Sequence, residues 1–234
     1  MKILTLNMNM FNYQNDGEFW NYLKEVNPDI AFIQEFRYKN IENCPSEYEY
    51  ILPKKYVDVE PVDSRVRLTV ALHKHVLSNR TYKIVAGDYT FVKAAIKDAT
   101  KTISGLHMPD LKETKEDEEL KAEIVSDIIC GDFNADIYKN YDEEPANRKY
   151  LKELIEDGYR SLWNVAREAG KAFYIDYKGE KKPANKNYRT FMGNTHIDYI
   201  LAKEDSVSLN EIVIDLRTLT FTDHNAIIAD VALL

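Results

Sequence analysis

Residues 127–136 read Asp-Ile-Ile-Cys-Gly-Asp-Phe-Asn-Ala-Asp, and this stretch decides the fold. An apolar run leads directly into a glycine, which is followed by polar residues at i and i+2. The run predicts a buried strand that ends abruptly, where Gly131 lets the backbone turn or approach a neighbour closely. Asp132 and Asn134 would project from the strand end, where a carboxylate holds a water or a hard cation and an amide donates to a phosphate-like oxygen. Alone, such a stretch is more typical of a turn.

The same arrangement recurs along the chain. Three other predicted strands end at Asn7, Glu35 and His107, whereas Asp198 and His224 stand just before apolar runs near the C-terminus. If these last strands run opposite to the earlier ones, their starts lie at the edge where the earlier strands end. The polar residues expected to meet at this edge are Asn7, Glu35, His107, Asp132, Asn134, Asp198, Asp223 and His224.

These residues resemble the endonuclease/exonuclease/phosphatase superfamily, which includes type I deoxyribonuclease and exonuclease III-like enzymes. Six short motifs occur in the family's order and span most of the chain. They are 4–7 (LTLN), 33–35 (IQE), 105–109 (GLHMP), 131–135 (GDFNA), 197–201 (IDYIL) and 222–224 (TDH). The alternation of strands and helices and this resemblance predict one α/β domain over residues 1–234. Its expected architecture is a four-layer sandwich of two mixed, largely antiparallel β-sheets flanked by helices, similar to deoxyribonuclease I.

The resemblance implies a divalent metal ion. Glu35 is the clearest candidate ligand, because a hard carboxylate just beyond a rigid strand suits Mg²⁺. In the family the equivalent glutamate binds the metal, and the residues equivalent to Asn7 and Asp223 lie close by. We therefore expect Mg²⁺ as the cofactor, with Mn²⁺ able to substitute for it.

The resemblance also assigns the catalytic roles. His224 is expected to act on the scissile phosphate with Asp198 as its carboxylate partner, since a neighbouring carboxylate fixes the tautomer and favours the charged form. Asp132 would orient or activate the attacking water, and Asn134 would donate to a phosphate oxygen. His107 would be a second histidine beside the phosphate. Whether His224 is a base or a cationic stabiliser stays open.

A basic and aromatic segment at 171–191 predicts contacts to the substrate. Lysines and one arginine alternate there with tyrosine and phenylalanine, a mixture that suits phosphate contact and ring stacking. The candidates are Lys181, Lys182 and Arg189, together with Arg37 beyond Glu35. A solvated hairpin whose tyrosines cover the core is an equally good interpretation of the segment.

The sequence departs from the family pattern at two places. Phe36-Arg37 stands where exonuclease III-like enzymes carry Thr-Lys, which weakens an assignment to abasic-site repair. His196 stands where many relatives carry arginine, which puts phosphate contact at that position in doubt.

The bulk composition limits the possible functions. The net charge of −8 counts modestly against tight non-specific binding of DNA. No apolar run is long enough for a transmembrane segment, and the N-terminus is interpreted as a core strand rather than a signal peptide. The two cysteines, Cys44 and Cys130, favour a reducing cytoplasm over a disulfide framework. We expect a cytoplasmic monomer.

The sequence therefore predicts an Mg²⁺-dependent phosphoesterase that cleaves phosphodiester bonds, with DNA or RNA as the expected substrate. Hydrolysis of a small or lipid-linked phosphoester, as in phosphatases or sphingomyelinases, is the alternative that the acidic charge and His107 favour. A non-catalytic binding module with the same fold is a third alternative. It is weakened because no expected site residue is missing.

Overall fold

Two β-sheets packed face to face form the centre of the computed structural model, which describes residues 1–9, 16–51, 68–85 and 89–234. The strands are β1 (Lys2–Asn7), β2 (Ile30–Phe36), β3 (Glu49–Ile51), β4 (Leu68–His73), β5 (Leu77–Val85), β6 (Tyr89–Ile96), β7 (Thr102–His107), β8 (Ile128–Asp132), β9 (Tyr159–Ser161), β10 (Ala172–Ile175), β11 (Lys181–Pro183), β12 (Asp198–Lys203), β13 (Val207–Asp215) and β14 (Ala226–Leu233). The helices are α1 (Asp16–Val26), α2 (Lys115–Ile124), α3 (Ala146–Glu156) and α4 (Leu162–Glu168), with short 3₁₀ helices at Tyr38–Asn43 and Leu216–Thr220.

The first sheet has eight strands in the order β11-β10-β13-β14-β1-β2-β4-β3, and the second has six in the order β5-β6-β7-β8-β12-β9. The pairs β1/β2, β10/β13 and β7/β8 are parallel, and the other pairs are antiparallel. This is the predicted arrangement of two mixed, largely antiparallel sheets, and the predicted fold class is confirmed.

The alternation of side chains along each strand produces the layers. In β1, Ile3 packs between the two sheets against Phe32 of β2, whereas Leu4 and Leu6 point outward. These outward residues pack with Phe19 of α1 in a second apolar interface. A third apolar interface, on the far face, joins β8 and β12 to α2 and α3. Helix, sheet, sheet and helix therefore stack as four layers around three apolar interfaces.

The strand directions bring the polar strand ends together. Strand β12 runs antiparallel to β8 with Asp198 opposite Asp132, and β14 runs antiparallel to β1. The C-terminal strands therefore start at the edge where β1, β2, β7 and β8 end, as predicted. Gly131 is essential to this edge, because a Cβ there would lie 1.9 Å from the carbonyl oxygen of Leu106 on β7.

Two strands, β9 and β13, lie outside the sequence-based assignment. The basic segment at 171–191 contains the β10/β11 hairpin. The pair Gly87-Asp88, which is typical of a hairpin turn, lies outside the described residues, as do Asn15, Arg65 and Arg67. Among the described helices, none combines the length and apolar character needed to cross a membrane.

Candidate active site

The site is built around one row of side chains across three neighbouring strands. In the register of the second sheet, His107 of β7 is opposite Asp132 of β8, which is opposite Asp198 of β12. The three residues are 1–2 % exposed. Their position follows from the sequence, since each stands at the polar end of an otherwise apolar strand.

His224 reaches this row from the other sheet, just before β14. Its Nδ1 lies 3.0 Å from Oδ2 of Asp198, and its Nε2 lies 3.9 Å from Oδ2 of Asp132. Burial lowers the pKa of His224, but the charge of Asp198 and its hydrogen bond, with Asp132 and Asp223, raise that pKa overall to about 9. The imidazole is therefore held as a cation that donates through Nδ1 to Asp198. Its Nε2–H is left for another acceptor.

Asp132 lies at the centre of the cluster. Its Oδ1 accepts a hydrogen bond from the backbone N–H of Asn134 at 2.8 Å, and its Oδ2 accepts one from Nδ2 of Asn7 at 3.0 Å. Burial raises the pKa of Asp132 to about 7, reinforced by the charge of Asp198 and opposed by His224. A carboxylate that exchanges its proton near neutral pH is well suited to general base catalysis.

Glu35 faces Asp132 from the first sheet. It has a φ of +50° and lies in a β-bulge, where the register between β2 and β4 shifts from Ile33 to Phe36. A bulge of this kind turns a side chain away from its regular direction. Oε1 of Glu35 accepts from Nδ2 of Asn7 at 3.3 Å and lies 3.8 Å from Nδ1 of His107.

Asp223 is held by a residue that sequence reasoning missed. Asn9 donates from Nδ2 to Oδ2 of Asp223 at 2.8 Å, and its backbone N–H donates to Oδ1 of Asn7 at 2.8 Å. Asn9 has a φ of +45°, like Asn134 at +51°. Both asparagines follow a strand-end polar residue at i+2. The spacing that singled out Asp132 and Asn134 could therefore have identified Asn7 and Asn9.

Two sets of side chains could hold a cation. Asp132, Asp198 and His224 offer ligand atoms that all lie within 4.8 Å of one another. However, the charged imidazole of His224 is already bonded to Asp198, and Mg²⁺ prefers oxygen ligands. The oxygen donors of Glu35, Asp223 and Asn7 suit Mg²⁺ better. In support, the buried Oδ1 of Asp223 has no hydrogen-bond partner among the described residues.

Asn134 is turned toward the protein. Its Nδ2 donates to the carbonyl oxygen of Met108 at 2.8 Å and lies 3.1 Å from Nε2 of His107. In this arrangement Asn134 positions His107, and its amide hydrogens are not presented to a phosphate. The direct phosphate contact predicted for Asn134 therefore requires a different rotamer.

Of the predicted substrate-binding residues, the structure brings only some near the cluster. Arg37 follows Glu35 directly after β2, and Arg189 lines a cavity beside the cluster. Lys181 and Lys182 lie on β11, which β10, β13 and β14 separate from β1 by roughly 19 Å at about 4.8 Å per strand.

Both lysines are already paired with acids. Nζ of Lys181 lies 2.6 Å from Glu211, and Nζ of Lys182 lies 2.5 Å from Asp176 and 2.8 Å from Glu180. The hairpin interpretation of this segment describes them better than substrate contact does, because acid-paired lysines far from the cluster have little charge to offer a phosphate there.

Comparison with known families identifies the family of this chain. The profile of the Endonuclease/Exonuclease/phosphatase family matches residues 4–224. The chain belongs to the endonuclease/exonuclease/phosphatase family. Members of this family are typically metal-dependent phosphoester hydrolases. No curated protein matches the sequence.

Solved structures share the fold at low sequence identity. An AP endonuclease from Archaeoglobus fulgidus has a TM-score of 0.67 and 17% identity, covering 98% of each chain. The catalytic domain of human Nocturnin with a bound sulfate anion has a TM-score of 0.64 and 15% identity, covering 100% of this chain and 94% of that one. A mannosyl-6-phosphatase from Bacteroides thetaiotaomicron has a TM-score of 0.67 and 12% identity over 100% of both chains. At these identities the likeness concerns the fold.

Proposed function

We propose that this protein is an Mg²⁺-dependent phosphoesterase that cleaves phosphodiester bonds, with nucleic acid as its substrate. The observation that carries the proposal is the pairing of a charged His224 with Asp198 at 3.0 Å, beside a carboxylate, Asp132, whose pKa is raised to about 7. One group is held as a proton donor and the other as a proton acceptor. Both kinds of group accelerate the hydrolysis of a phosphoester.

The donor set is compatible with the metal ion that the family implies. Glu35 and Asp223 supply carboxylate oxygens and Asn7 supplies an amide oxygen, which are the ligand types that Mg²⁺ prefers. When bound, the ion would neutralise negative charge on the phosphate and polarise its oxygens. The bulge at Glu35 supports this role. Glu35 is not glycine but has a left-handed φ of +50°, and such strained backbone is concentrated at functional sites.

The protein's own residues supply the proton chemistry. Asp132, held by Asn134 and Asn7, would accept a proton from the attacking water. His224 would donate from Nε2 to a phosphate oxygen and stabilise the charge that develops there. Asp198 keeps Nδ1 engaged, so that Nε2 is the nitrogen available to the substrate. Because Asp198 favours the charged form of the imidazole, the role of His224 is that of a cationic stabiliser rather than a general base.

The relatives support a phosphorylated substrate without singling out one class. The names of the structural neighbours include both an AP endonuclease and a mannosyl-6-phosphatase. We favour a phosphodiester. The acids of the site account for the metal ligands and the general base, and Arg37 and Arg189 provide positive charge for the further phosphates of a nucleic acid chain. Hydrolysis of a small phosphoester is the second candidate, and the acidic net charge of −8 favours it.

A substrate panel and one variant test the proposal. Purified protein is incubated with single- and double-stranded DNA, RNA, sphingomyelin and sugar phosphates, with Mg²⁺, with Mn²⁺ and in chelator. We expect metal-dependent cleavage of a nucleic acid. If DNA and RNA stay intact while a small phosphoester is hydrolysed, the second candidate is correct.

The variant Glu35→Gln separates metal binding from proton transfer. The loss of one anionic ligand oxygen should weaken Mg²⁺ affinity by about 10-fold or more, so raising Mg²⁺ recovers part of the activity. Calorimetry of Mg²⁺ binding gives a second readout that does not depend on turnover. An unchanged Mg²⁺ affinity in Glu35→Gln would remove Glu35 from the metal site.

A further inference from the structure

The cavity that Arg189 lines adjoins the active-site cluster. It has a volume of about 450 Å³ and is formed by residues of two segments, 136–139 and 187–196. Asp136 stands two residues after Asn134, and His196 stands two residues before Asp198. Because two residues span at most about 7 Å, the wall of the cavity begins within about the width of one nucleotide or one sugar ring from the cluster. Its volume is typical of sites for small molecules.

The cavity has two cations that the protein does not neutralise. Lys139 is exposed and Arg189 is half-buried, and both line the cavity. Among the described residues, no carboxylate oxygen lies within 4.0 Å of either side chain, unlike those of Lys181 and Lys182. Within the described part of the chain, the guanidinium of Arg189 bonds the hydroxyl of Tyr177 at 3.5 Å, and Nζ of Lys139 lies 5.4 Å from the ring centroid of Tyr141, so neither cation has an acidic partner. In a protein of net charge −8, two uncompensated cations facing one cavity indicate an anionic occupant.

The buried wall of the cavity offers these cations no direct ion pair. Asp136 also lines the cavity, but both its oxygens are occupied by backbone N–H groups, from Tyr138 at 2.8 Å and from His196 at 2.9 Å. His196 is 3 % exposed, and its Nδ1 bonds the carbonyl oxygen of Tyr188 at 2.8 Å. Burial lowers the pKa of His196, so its ring is neutral. The departure from arginine at this position therefore leaves Arg189 and Lys139 as the cavity's cations.

We propose that this cavity binds a second phosphate group of the substrate, one ring away from the phosphate that is cleaved. The inference rests on the proposed function and narrows it to substrates with at least two phosphate groups. Such a ring is either the sugar of a nucleotide in a polynucleotide chain or the sugar of a small bisphosphate. An apolar or cationic occupant would leave Lys139 and Arg189 without an anionic partner.

Two substrates that differ by one phosphate test this directly. They are the p-nitrophenyl ester of thymidine 5′-phosphate and the same ester carrying a 3′-phosphate. We expect the wild-type protein to have a kcat/KM at least 10-fold higher for the ester with the 3′-phosphate. The double variant Arg189→Gln/Lys139→Gln should bring the ratio close to one. A ratio near one in the wild-type protein, or an unchanged ratio in the double variant, would overturn the proposal.

A matched control removes the same charge elsewhere. Lys101 and Lys203 lie at the opposite ends of β7 and β12 from His107 and Asp198. The variant Lys101→Gln/Lys203→Gln should keep the wild-type ratio. An equal fall in the ratio for both double variants would attribute the effect to net charge and would contradict a specific site.

A binding measurement separates this inference from the proposed function. Calorimetry in chelator compares thymidine 3′,5′-bisphosphate with thymidine 5′-monophosphate, and no turnover is needed. Tighter binding of the bisphosphate that is lost in Arg189→Gln/Lys139→Gln supports the cavity even if neither ester is hydrolysed, an outcome that defeats only the proposed hydrolysis. Equal affinity for the two ligands overturns the cavity assignment even if both esters are hydrolysed.

A sugar pair distinguishes the two sources of a second phosphate. Binding of glucose 1,6-bisphosphate is compared with that of glucose 1-phosphate in the same way. A preference shown by both pairs assigns the cavity to the phosphate alone, and one shown only by the thymidine pair assigns it to nucleotides. Either result supports a second phosphate, whereas equal affinity within the thymidine pair overturns it whatever the sugar pair shows.

Discussion

Replacing Asp132 by asparagine should stabilise the metal-free protein while abolishing its activity. Burial and the charge of Asp198 raise the pKa of Asp132 from 3.8 to about 7. At about 1.4 kcal/mol per pKa unit, ionising Asp132 in the folded protein above pH 7 costs about 4 kcal/mol. This cost is net of the attraction to His224, which the pKa already includes. The substitution loses the hydrogen bond from Asn7 and leaves that buried amide facing another amide, which together cost about 2–3 kcal/mol. The net gain is about 1–2 kcal/mol.

The pH dependence of this gain has a definite sign. In the unfolded chain the carboxyl ionises near pH 4, whereas in the folded protein it ionises near pH 7. The penalty on the folded state is therefore absent below pH 4, grows between pH 4 and pH 7, and is constant above pH 7. The Tm of Asp132→Asn should exceed that of the wild-type protein by roughly 2–8 °C at pH 8, and the difference should shrink or reverse at pH 5.

Thermal unfolding in chelator at pH 5 and pH 8 measures this effect. Asp136→Asn is the matched control, because Asp136 is also buried and both its oxygens accept backbone N–H groups at 2.8 and 2.9 Å. It should lower the Tm, since one of these bonds is lost. A lower Tm for Asp132→Asn at pH 8, or a difference that does not grow from pH 5 to pH 8, would refute the reasoning about the buried carboxylate pair.

Three further predictions follow from the geometry. His224→Ala should lower kcat at least about 10²-fold, because it removes a proton donor from the site, and near-full activity would exclude that role. It should also lower the Tm, because the buried carboxylate of Asp198 loses its charged partner at 3.0 Å. Lys181→Ala/Lys182→Ala should leave KM for a polyanionic substrate and its salt dependence unchanged, because both lysines are ion-paired far from the cluster, and a raised KM would contradict this. Gly131→Ala should destabilise the protein by more than about 2 kcal/mol, because its Cβ would meet a carbonyl oxygen at 1.9 Å. The control Gly170→Ala also has a positive φ but has no atom within 4 Å and should cost about 1 kcal/mol, so equal losses for the two would exclude the clash.

The sequence alone was enough to predict the layers and the polar edge. Apolar runs that end in a polar residue predicted the strands that end near Asn7, Glu35, His107 and Asp132. A strand that is buried on both faces consists almost entirely of apolar residues, so it is visible in the sequence as a continuous run. The inverted order at Asp198 then implied the antiparallel return. Strand β13 was missed although its second half, Ile212–Ile214, is an apolar run that ends at the buried Asp215, the same pattern that predicted the other strands.

The rest of the site depended on geometry that the sequence does not encode locally. The bulge at Glu35 and the left-handed backbone of Asn9 arise from pairing with distant strands. The basic segment was ambiguous, because composition cannot show whether a lysine has an acidic partner. Lys182 has two such partners, whereas Arg189 has none among the described residues. Charge counting along a segment therefore grouped residues that the fold separates.

Hydrolysis of bis(p-nitrophenyl) phosphate tests the central claim most directly. The release of p-nitrophenol is measured for the wild-type protein, Asp132→Asn and His224→Ala, each expressed and purified in parallel, with Mg²⁺ and after rigorous removal of metal. We predict metal-dependent release by the wild-type protein and at least a ~10²-fold lower rate for both variants. Equal rates in all three proteins, or release by the wild-type protein that persists without metal, would contradict the assignment of this site.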